Sequence, residues 1–375
     1  MVDLFAGPGG LDVAAAWLGI DSIGVEWDPS ARNTRDEAIL ESSEIGDVEA
    51  NDPLGVDFGE RQILVGGPPC QTFTVAGAGA GRRVLHDVCT AIKAMGALES
   101  VEKVRKDLDE RTRLVLQPLH WIMTRATTEG STPYKAIVLE QVPAVLPVWA
   151  AMAEVLRDLS YNVDVGVLHT EEYGVPQTRR RAILIANLEH EVELPAPTHH
   201  RFRKGEARPT ESEGLKPWVT MGEALGRKSE FTVISNYGTG GDPAARGKRD
   251  SGMPAFTVTG KVSRNRLIGK GIRRDVNDRF TISEMGRLQT FPHDYPWQPT
   301  NIAQQIGNAI PPRLAAHVLA AAVGHEIDLA KLDATMSMSW EESRKPKNRV
   351  VARSTPADPT KKRRPKPAKQ SSLPI

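Results

Sequence analysis

Leu64-Val65-Gly66-Gly67-Pro68-Pro69-Cys70-Gln71-Thr72-Phe73-Thr74 is the stretch on which the reading of this 375-residue chain turns. Ile63, Leu64 and Val65 have the apolar, β-branched character of the last residues of a buried strand. Gly66 and Gly67 then free the backbone, and Pro68-Pro69 stiffens it by fixing two φ angles. Such a turn presents one thiol, Cys70, at the carboxyl end of a strand, where open α/β sheets bind their ligands. Two readings compete for it. A lone cysteine is usually a small buried hydrophobe. A nucleophile instead reacts as the thiolate and needs a positive or polar neighbourhood to lower a pKa near ~8.5.

Composition narrows the setting. The length suits one large domain plus a smaller one. With 40% hydrophobic residues the chain reads as globular, and no apolar run is long enough to span a membrane. It opens on VDLFAGPGG, which is no secretory signal, although residues upstream of Met1 are compatible with the pattern. Two cysteines, Cys70 and Cys89, make neither a disulfide framework nor a metal site and point to a reducing cytosol. The net charge of +1 hides an asymmetry: from Arg344 onward eleven Lys/Arg face one Asp, so the body is acidic. A nucleic-acid surface on that body must be a local cleft. Aromatic content of 5% argues against a single-strand stacking platform.

Upstream of the central stretch, Val2 to Ala6 is a short strand-like run. Gly7, Pro8, Gly9 and Gly10 follow, then the helical spacing of Leu11, Val13, Ala14, Ala15, Trp17 and Leu18. Strand, glycine turn and helix in that order form a nucleotide-binding unit. Ser22 to Val25 predicts the next strand, ending on Glu26. A carboxylate roughly 20 residues after the glycines commonly hydrogen-bonds ribose hydroxyls, and a solvated loop carboxylate is the alternative. Ile45 to Val48 closes a third unit.

Downstream, Thr72 to Arg83 is rich in Gly and Ala and predicts a mobile loop. Val84 to Ala126 reads as helical, with Cys89 as a buried core thiol. Ala136 to Val142 predicts a buried strand that carries Glu140 to a place beside the Cys70 strand end, where a carboxylate can do acid chemistry. Tyr161 to His169 is a further strand. Gln177-Thr178-Arg179-Arg180-Arg181 then runs into the strand AILIAN, and alternation puts Arg179 and Arg181 on one face and Arg180 on the other. A basic edge that discourages aggregation would look the same. From Leu188 the rhythm breaks. Gly-rich loops and short β runs with Lys261, Arg264 and Arg266 suit a small module touching phosphates and base edges. After Ser337 no core periodicity remains. KKRRPKPAKQSS predicts a disordered tail: a nuclear signal, a nucleic-acid tether or plain solvated chain.

Taken together, these stretches resemble the cytosine-5 methyltransferases that act on nucleic acid. GGPPCQTFT resembles that family's nucleophile loop. About eight signatures follow the family's order between Val2 and Ala320, among them Asp109-Glu110-Arg111-Thr112, FTISEMGRLQTFP and Gln305-Ile306-Gly307-Asn308-Ala309-Ile310-Pro311-Pro312. The resemblance implies an α/β fold: a Rossmann-like, mostly parallel methyltransferase sheet with one antiparallel strand, plus a small irregular β-rich recognition domain. The domains would be 1–187 for catalysis, 188–282 for recognition, 283–336 completing the first, and a basic tail over 337–375. It implies S-adenosyl-L-methionine held by Phe5, Ala6, Gly7, Gly9, Gly10, Glu26, Trp27, Asp47, Val48, Pro68, Asn308 and Ala309, with no metal. In catalysis Cys70 would add to carbon 6 of cytosine and Glu140 would serve N3. Arg181, braced by Arg179, would hold the O2 side. Gln71, Thr72, Lys261, Arg264 and Arg266 would touch DNA. Gln141 stands where the family has Asn; it keeps the amide but lengthens it, which puts the loop-bracing contact in question. The expected setting is a monomer in a bacterial or phage-infected cytoplasm, acting on double-stranded DNA, with a restriction endonuclease as a compatible partner. A tRNA-methylating branch and a non-catalytic nucleic-acid binder stay open. A dinucleotide dehydrogenase would explain only FAGPGG and Glu26.

Overall fold

A computed structural model describes residues 1–69, 80–98, 108–235 and 246–352. Strands β1 (Val2–Leu4), β2 (Ile23–Val25), β3 (Ile63–Gly66), β4 (Ala136–Gln141), β5 (Asn162–His169) and β6 (Arg180–Asn187) form one sheet in the order β2-β1-β3-β4-β6-β5. The first four pair in parallel, and β6 runs against both β4 and β5. The sheet is therefore mostly parallel with β6 as its one reversed strand, as the sequence reading expected.

Helices cover both faces, so the strands are apolar on both sides instead of alternating with polar residues. Leu64, Ile137, Leu139, Ala182 and Leu184 face one core with the helices Ala80–Gly96, Gln117–Thr127 and Leu146–Asp158. Val65, Ala136, Val138, Ile183 and Ile185 face the other, with helix α1 (Gly10–Leu18) and the helix Pro312–Ala322. The chain end thus returns to the first glycine turn: a Cβ on Gly10 would meet the Ile310 carbonyl at 2.5 Å.

A second sheet is small and antiparallel, in the order β8 (Lys248–Asp250), β7 (Phe231–Ile234) and β9 (Arg266–Gly269). Phe231, Val233 and Leu267 share a core with Met221, Leu225, Met285, Leu288 and Ile306. Apolar residues on both sides of position 282 therefore hold this sheet.

Several expectations change. No strand forms at Ile45–Val48; Asp47 Oδ1 instead accepts from Glu49 N at 2.9 Å, a local turn. Among the described residues, the helix after the central stretch runs Ala80–Gly96 and so includes positions before Val84. Asp109, in the stretch that resembles a family signature, caps the helical segment that follows, accepting from Thr112 N at 3.1 Å. Cys89 is only half-buried, because its position lies at the edge of the helix–helix seam, with Sγ 3.8 Å from the Pro147 carbonyl. The chain also stays packed beyond Ser337. Trp340 and Val350 are buried, Trp340 Nε1 donates to Ala38 O at 2.9 Å, and Val350 N donates to Trp17 O at 2.9 Å. Two isolated apolar residues bury this segment without any helical or strand period, which is why the pattern missed them. Thr72 to Gly79, most of the loop expected to be mobile, and the tail from Arg353 lie outside the described residues, as do Cys70 and Gln71.

Candidate active site at the carboxyl edge of the sheet

Sheet order reverses direction between β1 and β3, and open α/β sheets bind ligands in the crevice beyond such a switch point. A cavity of about 800 Å³ lies there. Four stretches far apart in sequence meet on it.

The first is the glycine turn after β1. Phe5 has φ 63°, a left-handed conformation that is strained for a bulky residue and characteristic of functional turns. Phe5, Ala6, Gly7 and Gly10 line the cavity; Gly9 does not. Gly9 has φ 101° at the start of α1, and a Cβ there would meet Leu40 Cδ1 at 2.3 Å. Its place is conformational: it makes the turn possible.

The second stretch carries Glu26, Trp27, Asp47 and Val48, all on the lining. Glu26 accepts from Gly7 N at 2.6 Å and Asp28 N at 2.7 Å, so one carboxylate ties the glycine turn to the β2 loop. Burial raises its pKa, and these two backbone donors oppose the rise. Trp27 is 72% exposed at the rim, an indole face left open beside two carboxylates. Beneath the turn, Asp12 pairs with Arg35 at 2.6 Å, both fully buried. Burial works against the Asp12 charge, but the guanidinium outweighs it and holds the carboxyl below its usual range. Neighbouring Asp3, which also lines the cavity, goes the other way. Burial, then the Asp12 charge, pushes its pKa well above the ordinary value for an aspartate.

The third stretch joins the central loop to β4. Gly67, Pro68 and Pro69 line the cavity, and the next residue is Cys70. Glu140 is 7% exposed and pairs with Arg181 Nε at the start of β6. Gln141 Nε2 donates to Pro68 O at 2.5 Å, and its Oε1 accepts from Val142 N at 2.5 Å. The longer amide does reach the loop, so the contact that the sequence put in question is made.

The fourth is the helix Ile302–Asn308, which brings Asn308 and Ala309 to the far wall. Gln305 Oε1 accepts from Thr34 Oγ1 at 2.7 Å, and Tyr295 Oη reaches the Pro8 carbonyl. Late residues thereby complete a cavity opened by the first ten.

Arg179 departs from its expected place. Only 2% exposed and absent from the lining, it donates to Val258 O at 2.8 Å, Gly307 O at 3.1 Å and Ala309 O at 3.2 Å. Gln177 works beside it, accepting from Val258 N at 2.9 Å and donating to Leu288 O at 2.8 Å. Alternation was read correctly, but its consequence differs: along one face, positions 177 and 179 lace the small sheet's region to the large one, and only Arg181 enters the cavity. Of the residues expected to touch DNA, Arg266 is held by Asp278 at 3.3 Å and Asp275 at 3.7 Å, while Lys261 and Arg264 are exposed.

Residues 1–95 and 109–324 match the C-5 cytosine-specific DNA methylase family. The chain belongs to that family. It is thus a DNA cytosine-5 methyltransferase, and its methyl donor is S-adenosyl-L-methionine. It is 26% identical over 345 residues to the type II methyltransferase M1.HphI of Haemophilus parahaemolyticus, covering 84% of each chain. It is likewise 26% identical over 305 residues to the type II methyltransferase M.NgoBI of Neisseria gonorrhoeae, covering 78% of this chain and 83% of that one. In fold it is similar to the Dnmt2 methyltransferase of S. pombe, with TM-score 0.56 and 15% identity over 86% of this chain and 98% of that one. A prophage-encoded DNA modification methyltransferase of E. coli superposes with TM-score 0.55 and 18% identity, with the same coverage. Among the described residues no helix is long and apolar enough to cross a membrane.

Proposed function

We propose that the methyltransferase works through Cys70 as covalent nucleophile, with Glu140 and Arg181 shaping the reacting cytosine. The supporting observation is that one cavity joins Pro68-Pro69, the residues that carry Cys70, to the Glu140–Arg181 pair and to the glycine turn with Glu26. Carbon 5 of cytosine is a weak nucleophile. Addition of the Cys70 thiolate at carbon 6 makes it enamine-like, and the electron pair displaced toward N3 is met by a proton or hydrogen bond from Glu140. Arg181, already paired with Glu140, orients that carboxyl and offers donors to O2. S-adenosylmethionine supplies the electrophilic methyl. Loss of the carbon 5 proton then expels the thiolate and restores the ring.

The lining suits the methyl donor. Two carboxylates on the lining, Glu26 and Asp47, offer acceptors suited to ribose and adenine donors, and the open face of Trp27 suits stacking on a flat ring. A cytosine reaches the cavity only after leaving the duplex, at a cost of a few kcal/mol in stacking and pairing. The region 188–282 serves as the recognition module, with Gln71, Thr72, Lys261 and Arg264 as candidate DNA contacts. Monomeric modification of double-stranded DNA, alongside a cognate endonuclease, fits the type II character of the relatives.

The test is trapping. Duplex DNA carrying 5-fluorocytosine at the target, identified by bisulfite sequencing of DNA from expressing cells, should form a denaturation-resistant adduct. Cys70→Ser should abolish it. An adduct that survives in Cys70→Ser, or that maps to Cys89, overturns the assignment.

A further inference from the structure

A second pocket, of about 300 Å³, opens on the same carboxyl edge of the large sheet. Three exposed cations stand around it: Arg180 at the start of β6, and Arg201 and Lys204 on the irregular segment that follows. Among the described residues their side chains make no hydrogen bond or ion pair. Arg249 forms a fixed wall. It donates to Thr178 Oγ1 at 2.9 Å and Ala255 O at 2.7 Å and lies over the Phe202 and Phe256 rings at 4.9 and 4.4 Å.

The floor is a buried carboxyl. Glu171 is 3% exposed, its Oε2 finds no hydrogen-bond partner, and its Oε1 lies 3.8 Å from His169 Nδ1. Burial raises Glu171 to about 7 and lowers His169 to about 4, so His169 is neutral at pH 7 and Glu171 is ionised only in part. A body of net negative charge therefore concentrates five cations on this lining, Arg179 included, against the one weakened carboxyl of Glu171, a balance that suits an anion.

Register says which anion. His169 is the cross-strand partner of Arg180, and Arg181, the next residue, lines the methyl-transfer cavity. Consecutive side chains at the start of β6 thus serve neighbouring sites on opposite sides of one strand. On the reading of that cavity as the base's site, a DNA strand that delivers a base to Arg181 would pass along this edge. We propose that the pocket grips a backbone phosphate flanking the target cytosine, with Arg180, Arg201 and Lys204 as the contacts. The proposal rests on the reading of the cavity as the site that receives the flipped base.

The test uses the full chain with the double variant Arg201→Ala/Lys204→Ala and, separately, Arg180→Ala. Duplex affinity is read by fluorescence anisotropy from 50 to 200 mM salt. Affinity should fall about tenfold and the slope of log K against log salt should shrink by about one, the signature of one lost phosphate contact. KM for DNA should rise, with kcat and the methylated sequence unchanged. An unaltered affinity and slope, or a changed methylated sequence, overturns the proposal. If the variants bind duplex as weakly as expected but the 5-fluorocytosine adduct fails even in the unmodified chain, the cavity reading has failed and not the phosphate grip. Glu171→Gln gives an independent arm. The charged and titratable groups around Glu171 are His169, Glu172, Arg179, Arg180, Arg201, Lys204 and Arg249. Gln should tighten DNA binding a few-fold at pH 8 and flatten its pH dependence between 6 and 8. Identical pH profiles in the two proteins remove Glu171 from the site.

Discussion

The carboxyl edge of the six-stranded sheet and the three-stranded sheet handle charge in opposite ways. On the edge, Asp12–Arg35, Glu140 and the Arg179 guanidinium are buried, Arg181 is nearly so, and all are supplied with partners. Desolvating an ion costs several kcal/mol, so each persists only because its geometry is fixed in advance. In and around the small sheet, Lys261 and Arg264 are exposed, and Arg266 is one-third exposed in its pairing with Asp278. Surface pairs contribute about 0–1 kcal/mol, so such charges can be exchanged at little cost to folding. The difference separates charges that the fold depends on from charges that it can exchange.

Five substitutions test that contrast, beginning with the largest effect. Glu140→Gln should lower kcat by about 10²–10⁴-fold, the usual worth of a positioned acid, with S-adenosylmethionine affinity by calorimetry nearly unchanged. A kcat within threefold of the original would remove Glu140 from the chemistry. Arg179→Ala should act on folding. The Val258 and Gly307 carbonyls lose the guanidinium's hydrogen bonds, while Ala309 O keeps Gln289 Nε2 at 2.8 Å, so urea unfolding should show a loss of about 3 kcal/mol. Arg181→Ala, by comparison, should cost activity first, with a smaller loss of stability because its place on the cavity lining lets water reach the unpaired Glu140; equal losses of stability in the two would erase the distinction drawn between them.

Gln141→Ala comes next, with about 1 kcal/mol of stability lost along with its hydrogen bond to Pro68 O, and a kcat reduced by up to about tenfold. A fully active variant would mean the loop needs no brace. Smallest should be Arg266→Ala, below about 1 kcal/mol in the same unfolding assay. A loss larger than that of Arg179→Ala would invert the comparison.

Much of the edge was legible because its residues are short-range. The strand–glycine–helix order around Gly7 to Gly10, the acidic end of β2 at Glu26 and the apolar runs into Glu140 and Arg181 each depend on a few neighbours, and local sterics fix them. The pairing of Glu140 with Arg181 across β4 and β6 also follows from two strand ends meeting.

Other features depended on where the chain goes afterwards. Nothing near Arg179 shows that Val258, Gly307 and Ala309 will surround it, because those carbonyls arrive from 79 to 130 residues away. Gly9 and Gly10 look alike in the sequence, yet only the approach of Leu40 and Ile310 gives them different tasks. Trp340 and Val350 lack any period, and only the groove beside α1 buries them. The cluster Arg180, Arg201, Lys204 and Arg249 is scattered over about 70 positions and becomes a site only where β5, β6 and β8 come together. The sequence by itself determined the elements and the chemistry their ends can carry, since backbone preference and side-chain type are local properties. Tertiary structure alone decided which charges are buried, because desolvation is set by every chain segment that closes over a group.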